Sequence, residues 1–296
     1  MPRIAANGIE IEYDEMGAAA DPAILLVMGF SSQMTRWPDA FKRGLAGAGR
    51  RVVWFDNRDI GLSTEFAGHA PPNPVEVVKA VAERGSADDL VPYLLDDMAA
   101  DAAGLLDALG IDQADVLGVS MGGMIVQLMA LNHPGKVRKL IPVMTTSGDP
   151  SLPPSSPEAL EALTNAPAER TAEALAEAAI KGQNAFGSHP DVRNTEAESR
   201  AKVTADFHRS DRPAGVARQY GAILAQPRWH ERLAQVAHPT LVLHGSEDTL
   251  IRPAAGEDIA RRIPGARYVQ IDKWGHDLAD KMMPALLDEI IPFLEA

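Results

Sequence analysis

A serine, an aspartate and a histidine of this chain stand where they could carry out acyl transfer. Ser120 is the central residue of Gly118-Val119-Ser120-Met121-Gly122. When such a pattern follows an apolar strand and precedes a helix, its glycines permit a sharp turn that lifts the serine hydroxyl above the sheet. The motif occurs by chance in about one chain in ten of this length, so its partners and context must support the interpretation.

Asp248 and His276 supply the groups that a serine nucleophile needs. A serine hydroxyl reacts poorly unless a base takes its proton, and His276 can be that base. A carboxylate must then orient the imidazole, and we assign this role to Asp248 because it directly follows a strong strand. Asp149, after the preceding strand, is the alternative. Asp272 and Asp277 are so close in sequence to His276 that they reach its ring with difficulty.

Acyl transfer also needs two backbone N–H groups that stabilise an oxyanion. One is the N–H of Met121, the residue after the nucleophile, where the N-terminus of the following helix adds a positive partial charge. For the second we choose the N–H of Phe30, in the small-residue loop that follows the apolar run 24–28. Gly29 gives the backbone there room to approach a substrate.

The surrounding sequence alternates strands with helices. Apolar runs predict strands at 24–28, 51–56, 114–119, 139–144, 238–245 and 266–271. Helical spacing predicts helices at 37–48, 93–109, 121–132, 254–262 and 284–294. Asn7-Gly8 predicts an antiparallel hairpin over residues 3–13. We therefore predict an α/β fold with a mostly parallel sheet, helices on both faces, and ligands bound beyond the carboxyl ends of the strands.

Between residues 145 and 232 the alternation of strands with helices stops. Prolines mark the boundary, and helices are predicted at 157–163, 168–181, 192–208 and 213–226, without a strand. We expect a helical cap inserted over the carboxyl edge of the sheet, which divides the chain into core 1–145, cap 146–232 and core 233–296. Five apolar residues of the cap either line an acyl pocket or pack within the cap: Phe186, Phe207, Tyr220, Ile223 and Leu224.

Other polar residues of the loops are interpreted as structural. Arg58 and Asp59 follow the strand 51–56, and an ion pair or turn hydrogen bonds would explain them. His244 stands at the end of a strand, and we assign it a structural role.

Composition excludes several classes of function. The net charge is −13, from 28 basic and 41 acidic residues, so nucleic acid and anionic membranes are poor candidates for partners. The chain has no cysteine, and its histidines form no metal-binding pattern, so we expect no metal and no cofactor. No stretch reaches the roughly 18–20 apolar residues of a membrane span, and residues 1–8 show no apolar signal segment. We expect a cytoplasmic protein, and its oligomeric state stays open.

Together these motifs resemble the α/β-hydrolase-fold serine hydrolases over essentially the whole chain. The matching segments are residues 27–30, 56–63, 118–123, 244–248 and 275–276. Met28 stands where many members have His, and Arg58-Asp59 stands where many have Arg-Gly, which is similar to the aclacinomycin methylesterase-like branch. The resemblance implies carboxylic-ester hydrolysis of a small-molecule ester.

We therefore expect a carboxylester hydrolase that acts through an acyl-enzyme on small to medium apolar esters. Serine as the nucleophile argues against the members of the fold that open epoxides or remove halides, because those use aspartate. A perhydrolase, a lactonase, a carbon–carbon bond hydrolase and an acyltransferase would use the same triad and stay open. A ligand-binding receptor on the same fold is an alternative from another class, and slow turnover would distinguish it.

Overall fold

An eight-stranded sheet forms the centre of the computed structural model, which describes residues 1–164 and 167–296. The strands are β1 Arg3–Ala6, β2 Ile9–Met16, β3 Ala23–Val27, β4 Arg51–Phe55, β5 Ala114–Val119, β6 Val137–Val143, β7 Leu241–Gly245 and β8 Arg267–Ile271. Their order is β1-β2-β4-β3-β5-β6-β7-β8, with β1 and β2 antiparallel to their neighbours and the other pairs parallel. The predicted mostly parallel sheet is confirmed.

Ten α-helices are found within the described residues. They are α1 Asp39–Gly47, α2 Pro74–Arg84, α3 Leu95–Ala108, α4 Met121–Asn132, α5 Pro157–Thr164, α6 Ala172–Phe186, α7 Glu196–Arg209, α8 Pro213–Ala225, α9 Pro253–Arg262 and α10 Met283–Glu295. Helix α2 is absent from the predicted helices, although its ends follow local rules. Asn73 caps its first turn by accepting from the Val75 N–H, Pro74 begins it, and left-handed Gly85 ends it.

The N-terminal hairpin follows directly from its turn residues. Asn7 and Gly8 both have positive φ angles, 48° and 77°, which is the backbone of a type I′ turn. Strand β1 therefore returns on β2 with Ala6 opposite Ile9. The predicted hairpin is confirmed, and β1 forms the outer edge of the sheet.

Two apolar layers bury the sheet. Strands β3 and β5 are buried along their whole length, which explains their continuous apolar sequences. Side chains from α3, α4 and α9 cover one face, and side chains from α1 and α10 cover the other. Each fully buried aliphatic side chain contributes about 1.5–3 kcal/mol, so the strands are a rigid support for the loops at their carboxyl ends.

Helices α5 to α8 follow β6 and precede β7 in the chain. We call residues 157–225 the α5–α8 segment, and no described residue of it belongs to a strand. Local capping explains two of its helix starts, since the hydroxyls of Thr171 and Thr195 accept hydrogen bonds from the first turns of α6 and α7. The exact cap boundaries at residues 146 and 232 stay predictions. Across the described chain, no helix combines the length and apolar character needed to cross a membrane.

Candidate active site

Ser120 occupies a strained turn between β5 and α4. Its φ of 54° and ψ of −121° lie outside the regions that side chains prefer. A Cβ added at Gly118 would lie 2.1 Å from the carbonyl oxygen of Gly122, and one added at Gly122 would lie 2.1 Å from the carbonyl oxygen of Val27. The chain can make this turn only with glycine at both positions. The Ser120 N–H donates to the Val143 carbonyl at 2.9 Å, which ties the turn to β6.

The structure brings Ser120, His276 and Asp248 into one hydrogen-bonded chain. His276 Nε2 lies 2.9 Å from Ser120 Oγ, and His276 Nδ1 lies 2.7 Å from Asp248 Oδ2. An ionised carboxylate can only accept hydrogen bonds, so Nδ1 carries the proton and donates to Asp248. Nε2 is then left as an acceptor for the Ser120 hydroxyl. This is the tautomer in which an imidazole can take a proton from serine.

Asp248 is held in its ionised form. Its side chain is fully buried, and its second oxygen, Oδ1, accepts the N–H groups of Leu250 at 2.9 Å and Ile251 at 2.8 Å. Burial alone would raise the pKa of this carboxyl, but the charge of His276 and the hydrogen bonds from His244 and His276 lower it to about 2. A carboxylate therefore faces His276 throughout the ordinary range of pH.

The other aspartates considered from sequence have different partners. Asp149 forms an ion pair with Arg262 and accepts from the Ser151 hydroxyl at 2.7 Å. Asp277 accepts from the Ser188 hydroxyl at 2.6 Å, and Asp272 accepts from a nearby serine hydroxyl. The carboxylate at the His276 ring is thus that of Asp248.

The α5–α8 segment holds the loop that carries His276. The His276 N–H donates to the Phe186 carbonyl at 2.6 Å, and the Gly275 N–H donates to Ser188 Oγ at 3.1 Å. Ser188 is buried, and its N–H donates to Asp277 Oδ2 at 2.9 Å. No local sequence pattern points to Ser188, because its partners lie 87 and 89 residues further along the chain.

Two backbone N–H groups beside Ser120 are free to bind an oxyanion. Within residues 1–164 and 167–296, neither the Phe30 N–H nor the Met121 N–H donates to another residue. Met121 is the first residue of α4, where N–H groups have no partner within the helix. Gly29 packs directly on the serine, since a Cβ added there would lie 3.1 Å from Ser120 Cβ. The two N–H groups chosen from sequence thus belong to residues that adjoin Gly29 and Ser120 and have no described partner.

A cavity of about 750 Å³ opens over the serine. Its walls come from the core loops on one side and from the α5–α8 segment on the other. The five apolar residues that sequence left undecided all line it: Phe186, Phe207, Tyr220, Ile223 and Leu224. The rings of Phe186 and His276 meet edge to face, with 6.1 Å between their centres, so this apolar wall reaches His276.

Arg58 and Asp59 form buried ion pairs with distant partners. Arg58 donates twice to Asp101, at 2.6 Å each, and Asp59 accepts from Arg218 of α8 at 2.7 and 2.8 Å. Tyr93 also donates to Asp59 at 2.6 Å, and burial together with the Asp59 charge raises the pKa of this phenol. The ion pairs predicted for both residues are confirmed, and the partner of Asp59 belongs to the α5–α8 segment.

His244, which we assigned a structural role from the sequence, lies next to Asp248. Its ring is fully buried, and Nε2 lies 2.7 Å from the Ile251 carbonyl and 3.4 Å from Asp248 Oδ2. The sequence feature that could have indicated this proximity is the position of His244 four residues before Asp248. Among the residues that the structure describes, no group of three or more His, Asp or Glu side chains is arranged to hold a metal ion.

The class of protein follows from this fold and site together with comparisons to known proteins. A model of the alpha/beta hydrolase fold family matches residues 22–281, so the chain belongs to that family. The sheet, its flanking helices and the turn at Ser120 agree with the membership. The chain is therefore a member of a family of hydrolases.

Relatives narrow the class further. The chain is 28% identical, over 93% of its length and 91% of the other protein, to the rhodomycin D methylesterase DnrP of Streptomyces peucetius. It is 25% identical, over 95% and 90%, to a 2-hydroxy-6-oxononadienedioate/2-hydroxy-6-oxononatrienedioate hydrolase of Paraburkholderia phymatum. The solved enol-lactonase from Burkholderia xenovorans LB400 matches over the whole of both chains, with a TM-score of 0.75 and 25% identity. The resemblance to the methylesterase-like branch is confirmed, and these relatives support a hydrolase of the esterase kind.

Proposed function

We propose that this protein is a serine carboxylester hydrolase that works through an acyl-enzyme. The hydrogen-bonded chain from Asp248 through His276 to Ser120 is the observation that carries the proposal. Ser120 is the nucleophile, His276 is the general base and then the general acid, and Asp248 orients the imidazole. The N–H groups of Phe30 and Met121 form the oxyanion hole. No step of this chemistry calls for a cofactor.

Each step uses groups that already face one another. The Ser120 hydroxyl adds to the ester carbonyl carbon while His276 Nε2 takes its proton, and the carbonyl oxygen becomes an oxyanion. The bond to the alcohol oxygen then breaks, and His276 returns the proton to the departing alkoxide. Water, deprotonated by His276, attacks the acyl-enzyme next, and the carboxylic acid leaves as the Ser120 hydroxyl regains its proton.

The cavity supports small to medium apolar esters as substrates. Its volume of about 750 Å³ lies in the range of pockets that enclose drug-sized ligands. Phe186, Tyr220 and Ile223 present apolar surface to the cavity, which favours an apolar acyl or alcohol group. In this proposal residues 146–232 form the cap, and the cap selects the substrate.

Lactone hydrolysis is a second candidate, because the chain matches the enol-lactonase structure over its whole length. A lactone is a cyclic ester, so the same attack by Ser120 opens its ring, and acid and alcohol stay in one molecule. Perhydrolysis, carbon–carbon hydrolysis and acyl transfer would change only the acceptor or the bond that breaks. A receptor on the same fold would react once and stall as a modified Ser120.

A panel of p-nitrophenyl esters of rising acyl length, with a γ-lactone and a δ-lactone beside it, tests the proposal. We expect repeated turnover, and the substitution Ser120→Ala should lower kcat by at least about 10⁴-fold. A fluorophosphonate should label Ser120 in the wild-type protein and leave the variant unlabelled. Hydrolysis by Ser120→Ala at the wild-type rate would refute the assignment, and a single burst without turnover would favour the receptor.

A further inference from the structure

Helix α8 places three consecutive side chains against the two loops beside Ser120. Arg218 pairs with Asp59 in the loop after β4, and the ring of Tyr220 contacts the ring of Phe30 at 5.8 Å. Between them, Gln219 is fully buried and reaches both loops. Its Oε1 accepts the Ser31 N–H at 3.2 Å, and its Nε2 donates to the Arg58 carbonyl at 3.0 Å.

We propose that Gln219 is a positioning residue for the oxyanion hole. By accepting the Ser31 N–H, its amide would hold the peptide that follows Phe30 and so direct the Phe30 N–H toward the reacting carbonyl. The proposal rests on the proposed function, since it assumes that Phe30 binds the oxyanion. It gives helix α8 a part in the chemistry as well as in the shape of the cavity.

The loop needs such support because its backbone is strained. Ser31 has a φ of 57°, in the left-handed region that costs a residue with a side chain about 1–2 kcal/mol. Without Gln219 the Ser31 N–H loses its partner in the protein, and this peptide is free to turn toward another acceptor. Because it shares the Cα of Phe30 with the Gly29-Phe30 peptide, such a turn would also displace the peptide that carries the proposed oxyanion donor.

Gln219 also decides which N–H of the loop remains available. The Ser31 N–H is occupied by the Gln219 amide, whereas the adjacent Phe30 N–H donates to no described residue. The amide itself is kept in place from its other end by the Arg58 carbonyl and by the buried pair of its neighbour Arg218 with Asp59. These contacts at both ends hold the amide rigidly, and a preorganised oxyanion donor requires such rigid support.

Gln226 at the end of α8 offers a matched control. It is buried, its Oε1 accepts the Asp96 N–H at 3.2 Å, and its Nε2 donates to Asp96 Oδ2 at 3.0 Å. It therefore joins the same helix to the core by the same chemistry, but it touches neither the oxyanion loop nor the cavity. Gln219→Leu and Gln226→Leu remove similar hydrogen bonds, and only the first affects Phe30.

The experiment measures kcat and KM for a p-nitrophenyl ester, and the inhibition constant of an alkyl trifluoromethyl ketone, which forms an oxyanion on serine. For Gln219→Leu we expect kcat to fall roughly 10- to 100-fold with KM within about twofold, because a displaced oxyanion donor acts on the transition state. The inhibition constant should rise by the same factor. Gln226→Leu should keep kcat within about twofold even where its melting temperature falls equally. Should Gln219→Leu not fold, Gln219→Asn, which withdraws the amide by one methylene, takes its place.

An unchanged kcat in Gln219→Leu, or equal losses in both variants, would overturn the role of Gln219. The rate at which a fluorophosphonate labels Ser120 is compared in the same proteins. In that reaction the serine oxygen bonds to phosphorus, His276 takes the serine proton and fluoride leaves, while the phosphoryl oxygen occupies the oxyanion hole. If the wild-type protein hydrolyses no ester, the proposed function alone is refuted, because labelling still tests the role of Gln219. Slower labelling of Gln219→Leu would then support that role, and equal labelling would refute it.

Discussion

The side chains proposed to do the chemistry leave the ends of core strands, whereas the residues that hold their loops come from the α5–α8 segment. Ser120 follows β5 directly, and Asp248 and His276 lie in the loops after β7 and β8. Ser188 and Gln219 belong to the α5–α8 segment and bind the backbone of the His276 loop and of the Phe30 loop. The difference teaches that this segment holds the loops of the candidate site as well as forming a wall of the cavity.

The largest expected effect is on kcat, and it distinguishes the role of Asp248 from that of Asp149. Asp248→Asn keeps the shape of the site but favours the wrong imidazole tautomer, so we expect kcat to fall by about 10⁴-fold. Asp149→Asn, which breaks an ion pair with Arg262, should leave kcat within about twofold. Steady-state kinetics with one short ester decide the matter, and a larger loss in Asp149→Asn would show that the carboxylates have been assigned wrongly.

Acid titration tests, through stability, the interactions with His276 and His244 that keep the same carboxylate ionised. The pKa of Asp248 is lowered from 3.8 to about 2. Its ionised form therefore stabilises the folded state at any pH above the pKa that this carboxyl has in the unfolded chain. That contribution, about 2 kcal/mol, is lost as the pH falls toward about 2. Urea unfolding from about pH 5 to about pH 2 should show this loss in the wild-type protein and a smaller loss in Asp248→Asn. Parallel losses in the two proteins would contradict it.

Removing the Ser188 hydroxyl tests the support from the α5–α8 segment. Ser188→Ala removes the acceptor of the Gly275 N–H and the hydroxyl that donates to Asp277 Oδ1, so the His276 loop should shift and kcat should fall about tenfold with little change in KM. Ser147→Ala is the matched control, because Ser147 is also buried and donates to an aspartate, Asp258, at 2.5 Å. If both variants keep full kcat, the segment does not position His276.

The smallest expected effect concerns the wall of the cavity. Ile223→Trp adds volume inside the cavity, so we expect kcat/KM for octanoate esters to fall about fivefold while acetate esters stay within about twofold. Leu160→Trp places the same side chain on the exposed surface of α5, away from the cavity, and should change neither. Equal losses for both acyl lengths in Ile223→Trp would mean that this wall does not bind the acyl chain.

Much of the fold was predictable because its signals are local. Asn7-Gly8 alone determines the hairpin turn, and the apolar runs of β3 and β5 predict strands buried on both faces. The meeting of Ser120, Asp248 and His276, which follow β5, β7 and β8, agrees with the rule that binding groups gather at the carboxyl ends of a parallel sheet. Helix α2 escaped prediction although its capping residues are visible in the sequence.

By itself, the sequence determined the α/β fold, the strained turn at Ser120 and the short set of carboxylates that could serve His276. Only the tertiary structure decided that Asp248 meets the imidazole while Asp149 pairs with Arg262, and that Ser188 and Gln219 bind the His276 loop and the Phe30 loop. The physical reason is the range of each interaction. Turn and strand preferences arise between neighbouring residues, whereas Gln219 and Ser31 are 188 residues apart and meet only when the α5–α8 segment packs on the core.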